Sequence, residues 1–249
     1  MSEITEGLKA LKTRTGKPAL VLVTGATGYI GGRLVTHLLD VGYRVRVFAR
    51  QAERLRDYPW ISSVEVVEGD ANDVAALDRA LKSVDVAYYM LHALNLTADF
   101  ENEEKVLAEK FAAASVANKV KRIVYLGGII TAGQELSPHL ASRALTGEIL
   151  RKSGVPTIEL RAGVVIGSGS ASFEMLRYLT ERLPIMTVPK WVKNRIQPIA
   201  VRDVLRYLVG AASLPDEVDG VFDIGGPDVF SYGEMMQRYA SAAGLRRRI

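Results

Sequence analysis

The sequence predicts an α/β fold, a doubly wound parallel sheet with helices on both faces. Two features of the chain predict it. Short apolar runs, typical of strands buried on both faces, alternate with amphipathic helical patterns along most of the chain. The first run passes into the first helical pattern through a glycine-rich turn. Parallel strands joined by helices also require right-handed crossovers, which are the connections that such folds use.

The predicted elements follow in chain order. The first strand is the apolar run 19–24, and the helix after the turn ends at Gly42, a residue type that stops helices. The apolar face of that helix consists of Ile30, Leu34, Leu38 and Val41. Further strands are predicted at 44–49, 64–67, 84–90, 122–126, 157–160 and 221–224. Further helices are predicted at 73–82, 101–118, 140–153, 173–182, 203–212 and 232–243.

The alternation of strands and helices divides the chain into three segments. Residues 1–17 are polar and are predicted to be a tail or a short helix outside the core. Residues 18–167 carry the alternation and are predicted to be the core that contains the sheet. Prolines interrupt the helical pattern after residue 167, so residues 168–249 are predicted to be a small C-terminal cap over one end of the sheet.

Composition excludes several classes of protein. With 48% hydrophobic and 24% charged residues among 249, the chain can bury a core, which excludes disorder as its main state. A net charge of +4 is too small to indicate nucleic-acid binding, and none is expected. The absence of cysteine excludes disulfides and thiolate chemistry, and the three histidines, His37, His92 and His139, are too far apart in the sequence to predict a metal site.

The N-terminus and the longest apolar runs indicate where in the cell the protein is expected. The N-terminus lacks the basic and then apolar pattern of a signal peptide. No apolar run approaches the roughly 18 residues that cross a bilayer. We therefore expect a cytoplasmic protein without a membrane span.

The turn at 25–31 is the strongest functional signal in the sequence. Gly25, Gly28 and Gly31 recur at every third position between the first strand and the first helix. The first glycine permits a tight turn, the second lets a diphosphate approach the main chain, and the third lets the helix pack close to the strand. The helix N-terminus then offers free N–H groups and a partial positive charge to the phosphates. The alternative is a turn whose glycines serve packing alone.

Four further motifs accompany the turn. They are V-E-G-D at 67–70, R-A-G-V-V-I-G at 161–167, Q-P-I-A-V-R-D-V at 197–204 and F-D-I-G-G-P at 222–227. With the turn, they make residues 19–244 resemble the extended and atypical short-chain dehydrogenase/reductase superfamily, and its NmrA-like branch in particular. The resemblance implies a Rossmann fold that binds NAD(P) at the core and a substrate on the side of the cap. Ala162 departs from the family pattern, which has a proline at that position.

The end of the second strand bears on which dinucleotide is bound. An NAD-binding chain usually places an acidic residue there, which holds the ribose 2′-hydroxyl. This chain has Arg50 instead, and a guanidinium can pair with a 2′-phosphate. We therefore predict NADP(H) in preference to NAD(H). Arg46 and Arg54, which flank Arg50, are predicted to be solvated surface charges.

The resemblance implies further contacts with the cofactor. Asp70 would accept a hydrogen bond from the adenine amino group, and residues 163–165 would lie near the nicotinamide. The full set of predicted cofactor contacts is Gly25, Thr27, Gly28, Tyr29, Ile30, Gly31, Arg50, Asp70, Ala71, Met90, Leu91, His92, Leu126, Gly127, Gly128, Arg143, Gly163, Val164 and Val165. His92 is equally compatible with a capping or core-edge position.

This chain lacks the catalytic residue types of the family that it resembles. Its active members use a serine after the fifth strand, then a tyrosine and a lysine four residues apart. This chain has glycine at the predicted serine position, and His139 and Arg143 at the other two. Histidine can transfer a proton near neutral pH, whereas arginine stays charged, so His139 and Arg143 are candidate catalytic residues. The alternative is that His139 caps a helix and Arg143 contacts cofactor or solvent.

Two functions follow from the resemblance. The first is an NADP(H)-dependent oxidoreductase that acts on a small carbonyl or quinone-like substrate. The second, favoured by the missing serine, tyrosine and lysine, is a non-catalytic NADP(H) redox sensor or assembly factor that acts through a protein partner. The sequence leaves open the substrate, the oligomeric state and whether a C-terminal part of the substrate pocket is missing.

Overall fold

The computed structural model describes residues 3–92, 100–130, 136–183 and 190–247. Its strands are Leu20–Thr24 (β1), Arg44–Ala49 (β2), Glu65–Glu68 (β3), Val86–Tyr89 (β4), Arg122–Gly128 (β5), Thr157–Ala162 (β6), Val165–Ile166 (β7), Arg195–Ile196 (β8), Ile199–Ala200 (β9), Gly220–Ile224 (β10) and Phe230–Ser231 (β11). Its helices are Tyr29–Val41 (α1), Val74–Leu81 (α2), Phe100–Ala117 (α3), Pro138–Lys152 (α4), Ala171–Arg182 (α5), Val201–Ala211 (α6) and Tyr232–Ala242 (α7).

The predicted α/β fold class is confirmed. Seven strands form one parallel sheet in the order β10-β6-β5-β4-β1-β2-β3. β1 lies between β2 and β4, with Val21 paired to Val45 on one side and to Val86 on the other. The strand order reverses between β1 and β4, and in sheets of this kind the crevice at that reversal point is where ligands bind. The glycine-rich turn follows β1 at this point.

The sheet is buried because its central strands are apolar on both faces. All residues of β1 and β4 are buried. Tyr88, Tyr89 and Tyr125 are 0%, 2% and 0% exposed, as expected for packing residues rather than acids. Burial raises the pKa of all three phenols above its ordinary value, so they stay protonated at neutral pH.

The chain divides into two compact units. The first comprises residues 1–161 and 205–223 and contains the sheet core described above. In the first unit Thr5 is fully buried, and Arg206 donates hydrogen bonds of 3.0 Å to the carbonyl oxygens of Ile4 and Glu6. The second comprises residues 162–204 and 224–249, and it has its own apolar cluster, which consists of Val164, Leu176, Met235 and Met236. The tail, core and cap boundaries drawn from sequence stay a prediction.

Two short sheets were not predicted. β7 pairs with β9, and β8 pairs with β11, each over two residues. Two residues are too few for an alternating pattern to show in a sequence. Among the described helices, none is long and apolar enough to cross a membrane.

Candidate functional site

The turn after β1 has a backbone that requires glycine at its first position. Gly25 has φ +66°, a conformation that residues with a side chain rarely adopt. A Cβ at Gly25 would also collide with the carbonyl oxygen of Met90, at the end of β4. The N–H of Gly28 donates to the carbonyl oxygen of Gly25 over 2.9 Å and closes the turn.

The other two glycines differ in what surrounds them. A Cβ at Gly31 would collide with the carbonyl oxygen of Gly25 and lie 3.2 Å from Cα of Ala26. Gly28 is exposed, and the nearest atom to a Cβ there would be the Gly25 carbonyl oxygen at 3.2 Å. Gly25 and Gly31 therefore serve close packing, whereas Gly28 leaves the outer face of the turn open.

Helix α1 begins at this open face. Gly28 is its N-cap, and no side chain in the described part of the chain caps it, nor does an acidic residue occupy its first turn. The first N–H groups of a helix have no partner within the helix and carry its positive dipole. An anion such as a diphosphate can accept from these N–H groups without displacing a protein side chain.

Thr24 fixes the position of the turn, and the sequence analysis missed it. Its hydroxyl donates to the carbonyl oxygen of Tyr88 over 2.9 Å and accepts from the N–H of Met90 over 2.9 Å. Thr24 is fully buried, and it ties the ends of β1 and β4 together. The only sequence signal for this role is a polar residue at the end of an otherwise apolar run.

A cavity of about 260 Å³ lies beside the turn. Its lining residues are Thr27, Gly28, Tyr29, Gly32, Arg33, Thr36, Tyr58, Pro59 and Trp60. Tyr58 donates to the Thr27 carbonyl oxygen over 3.3 Å, and the indole of Trp60 donates to the Gly32 carbonyl oxygen over 3.0 Å. The Arg33 guanidinium lies 4.1 Å from the ring centre of Tyr29. The sequence analysis missed this wall because its aromatic residues lie among short 3-10 turns.

Arg50 and Arg46 are in different environments. Arg50, directly after β2, is exposed and has no hydrogen-bond or ion-pair partner within the described ranges. Arg46 was predicted to be a solvated charge, and that prediction was wrong. Its guanidinium donates to Glu65 over 2.7 and 2.9 Å and to the carbonyl oxygens of Ala80 and Lys82 over 2.9 and 2.8 Å. Arg46 therefore joins β2 to β3 and to the end of α2, and Arg50 remains available to a ligand.

Other predicted contacts of the first unit follow the ends of β3, β4 and β5. Asp70 is exposed, and its carboxylate accepts from the N–H of Asn72 over 2.7 Å, while Ala71 is buried. Met90, Leu91 and His92 directly follow β4, and Leu126, Gly127 and Gly128 are the last residues of β5. Parallel strands bring these ends to one edge of the sheet, where the turn also lies.

The predicted nicotinamide contacts lie in the second unit. Val164 is buried, and its carbonyl oxygen accepts from the N–H of Ile199 over 3.0 Å. Val165 begins β7 and pairs with Ile199. A Cβ at Gly163 would lie 2.8 Å from the carbonyl oxygen of Gln197, so this glycine lets two loops approach closely.

The two glycines that end β5 have different close neighbours. A Cβ at Gly127 would lie 3.1 Å from a carboxylate oxygen of Glu159, and one at Gly128 would lie 2.6 Å from Leu140 Cδ1. Glu159 is 1% exposed, and its carboxylate pairs with Arg161 over 2.7 Å and with Arg151. A side chain at Gly127 would therefore contact this buried ion-pair cluster.

The two catalytic candidates, His139 and Arg143, differ in their surroundings. His139 is exposed in the first turn of α4. The interpretation of His139 as a helix cap was wrong, because Ser137 is the N-cap and accepts from the N–H of Leu140 over 3.3 Å. Nη2 of Arg143 lies 3.1 Å from Nε2 of His92. Arg143 and His92, both predicted cofactor contacts, therefore contact each other.

Comparison with known proteins identifies the family. A sequence model described as NAD(P)H-binding matches residues 25–165, which is more than half of the chain. The chain belongs to this NAD(P)H-binding family. The match begins at the first glycine of the turn and ends within the motif that follows β6.

Two curated relatives and one solved structure are similar to the chain. The chain is 28% identical over 232 residues to (4-alkanoyl-5-oxo-2,5-dihydrofuran-3-yl)methyl phosphate reductase of Streptomyces griseus, covering 90% of this chain and 74% of that one. It is 26% identical over 239 residues to ceramide reductase of Caulobacter vibrioides, covering 94% and 74%. A short-chain dehydrogenase/reductase superfamily protein from Agrobacterium tumefaciens, solved with bound NAD, has a TM-score of 0.74 at 18% identity and covers 92% and 84%.

The predicted NAD(P)-binding family is therefore confirmed. The residues at the turn suit the dinucleotide that the NAD(P)H-binding family binds. The face at Gly28 is open, the start of α1 is without a cap among the described side chains, and Nε of Arg143 is buried without an acceptor there. Within the same residues, no group of three or more histidine and acidic side chains is placed to hold a metal ion.

Proposed function

We propose that this protein binds NADP(H) and acts in the cytoplasm as an oxidoreductase on a small carbonyl or quinone-like substrate. The observation that carries the proposal is the open turn at Gly28, together with Arg50 at the end of the neighbouring strand β2. Arg50 has no protein partner in the described ranges. The reductase activities named for the two curated relatives support the reaction class.

The preference for NADP(H) rests on charge at the end of β2. Arg46 is engaged by Glu65, whereas Arg50 is exposed and has no acidic partner in the described part of the chain. A free guanidinium can pair bidentately with a 2′-phosphate. Arg33, which is exposed in α1, adds positive charge beside the cavity.

In the proposed reaction the protein binds and orients its ligands. The bound cofactor supplies the hydride when it is reduced. The N-terminus of α1 holds the diphosphate, Arg50 holds the 2′-phosphate, and Arg143 donates to ligand oxygen atoms. Tyr89 and Tyr125 are buried and stay protonated, so they are poor proton donors. His139 is exposed at the position of the family's tyrosine and is the candidate that gives a proton to the carbonyl oxygen.

A titration with both dinucleotides tests the preference for NADP(H). Trp60 lines the cavity beside the turn, so its fluorescence is expected to report binding. We expect NADPH to bind at least about tenfold more tightly than NADH, because a hydrogen-bonded charge pair contributes about 1.5–3 kcal/mol. Arg50→Ala is expected to remove that difference, and Arg54→Ala, the exposed control, to keep it. No binding of either dinucleotide at millimolar concentration would contradict the proposal.

The second candidate function is a non-catalytic NADP(H) sensor or assembly factor with a protein partner. It is favoured by glycine at the position of the family's serine and by Arg143 at the position of its lysine. Assays of NADPH oxidation with aldehydes, ketones and quinones separate the two functions. Turnover that His139→Ala abolishes favours the enzyme, whereas tight binding without turnover favours the sensor.

A further inference from the structure

A buried polar chain runs from α3 to Arg143, and the catalytic pattern of the family does not explain it. Glu104 in α3 is 4% exposed, and its carboxylate accepts a short hydrogen bond from the hydroxyl of Ser142 in α4. Oε1 of Glu104 lies 4.0 Å from Nδ1 of His92. Nε2 of His92 lies 3.1 Å from Nη2 of Arg143. The chain therefore runs from an anion through an imidazole to a cation.

The chemistry of these groups fixes the direction of the hydrogen bonds. An arginine guanidinium can only donate, so Nε2 of His92 must be the acceptor and carry no proton. A neutral imidazole then bears its proton on Nδ1, the nitrogen that faces Glu104. At 4.0 Å that contact needs a small movement or a bridging water to become a hydrogen bond.

The surroundings keep His92 uncharged. Burial, together with the nearby charges of Arg143 and His139, lowers the pKa of His92 to about 3. Among the described residues, the groups that face His92 are Glu104 from α3 and Arg143 and His139 from α4, and Tyr125 of β5 donates to the carbonyl oxygen of Arg143 over 3.1 Å. A neutral His92 can accept from Arg143, whereas a protonated one would repel it.

We propose that Glu104 and His92 are positioning residues that hold the Arg143 guanidinium in one orientation at the ligand-binding edge of the sheet. Nη2 is bound to His92, and Nε is buried without an acceptor in the described part of the chain. In this orientation we expect the N–H groups on Nη1 of Arg143 to donate to ligand oxygen atoms. The proposal rests on the proposed function only in taking the dinucleotide as that ligand.

The tautomer and charge of His92 test the proposal without any ligand. The chain has three histidines, so ¹⁵N-histidine labelling gives three imidazole signals, which His37→Gln and His139→Asn variants assign. We expect His92 to stay neutral from pH 8 to pH 5 with its proton on Nδ1. Titration of His92 near its ordinary pKa, or a proton on Nε2, would overturn the proposal. Arg143→Ala, which removes the neighbouring cation, is expected to raise the pKa of His92.

Glu104→Gln tests the positioning role in ligand binding. It keeps an acceptor for Ser142 but removes the carboxylate that faces Nδ1 of His92. Without that carboxylate we expect the His92 ring to lose its fixed contact with Arg143, which leaves both tautomers populated and raises the Kd for NADPH about fivefold or more, as for coupled groups in one network. Glu109→Gln, an exposed change on the same helix, is the control and should alter neither quantity. If neither the tautomer of His92 nor the Kd changes in Glu104→Gln, the proposed positioning role of Glu104 and His92 is refuted.

Two further results of these experiments can be interpreted: a Glu104→Gln variant that does not fold, and a protein that binds neither dinucleotide. If Glu104→Gln does not fold, Ser142→Ala removes only the donor to Glu104 and is expected to shift the tautomer balance in the same direction. If the protein binds neither dinucleotide, the proposed function fails. The tautomer of His92 in the wild type still tests whether Glu104 and His92 position Arg143.

Discussion

At the residue scale, the three glycines of the turn have separable roles. Gly31 faces the carbonyl oxygen of Gly25 and has no room for a Cβ, whereas Gly28 is exposed and has an ordinary extended backbone with φ −83°. A single added methyl group therefore has opposite consequences at the two positions. At Gly31 it disturbs packing, and at Gly28 it covers the face that the diphosphate approaches.

Gly28→Ala and Gly31→Ala test this difference. We expect Gly28→Ala to lower the free energy of unfolding by no more than about 1 kcal/mol, as for the loss of a favoured N-cap residue, and to weaken NADPH binding at least about tenfold. Gly31→Ala is expected to destabilise the fold by about 1–3 kcal/mol, because it overpacks the start of the helix. Urea unfolding and calorimetric titration measure the two effects. Equal losses of stability in both variants would contradict the assignment.

The residues that sequence reasoning missed at this scale are those whose role depends on a distant partner. Thr24 reaches Tyr88 and Met90, which lie more than 60 positions away in the chain. Arg46 was predicted to be a solvated charge, yet it pairs with Glu65 of the adjacent strand. Such pairings appear only when strand order and register are known.

At the element scale, periodic apolar patterns predicted the long helices and the strands of the main sheet. The start of α1 and the glycine stop at Gly42 follow from local chemistry, and Gly42 adopts φ +100° as a left-handed cap. The strands β7, β8, β9 and β11 are two residues long and have no period to detect. The aromatic wall at Tyr58 and Trp60 was missed because short 3-10 turns have no strong sequence signature.

The pairing of β2 with β3 is expected to depend on pH through Glu65. Arg46 hydrogen bonding lowers the pKa of Glu65 below its ordinary value of 4.5. A folded-state pKa below the unfolded value contributes stability that is present above pH 4.5 and is lost as the pH falls through the folded value. Since the Glu65 side chain is 47% exposed, we expect less than about 1 kcal/mol.

Glu65→Gln measures this contribution. The difference in unfolding free energy between wild type and Glu65→Gln should be largest at pH 7 and should disappear towards pH 3. Glu109→Gln serves as the exposed control and should show no such trend. A difference that grows as the pH falls would contradict the predicted pKa shift.

At the scale of the whole molecule, the site is made where the strand order reverses, and the residues that build it come from distant parts of the chain. Gly25, Arg50, Asp70, Met90 and Gly128 follow or end five different strands. A parallel sheet brings these strand ends to one edge. The turn was predictable because it is local in the sequence. The contacts among Glu104, His92 and Arg143 were not predictable, because these residues belong to three separate segments of the chain.

Ligand binding to the folded chain should raise its stability by mass action. A dinucleotide that binds only the native state at 100 times its Kd adds about 2.7 kcal/mol to the free energy of unfolding. We therefore expect NADPH to raise the Tm in proportion to the logarithm of its concentration, and NADH to do so only at higher concentration. A Tm that neither dinucleotide changes at millimolar concentration would show that the native state binds neither.

A crystal structure grown with NADPH tests the central claim most directly. The diphosphate should accept hydrogen bonds from main-chain N–H groups between residues 27 and 31, with the 2′-phosphate against Arg50. A diphosphate bound elsewhere on the chain, or an Arg50 side chain turned away from the nucleotide, would contradict the claim.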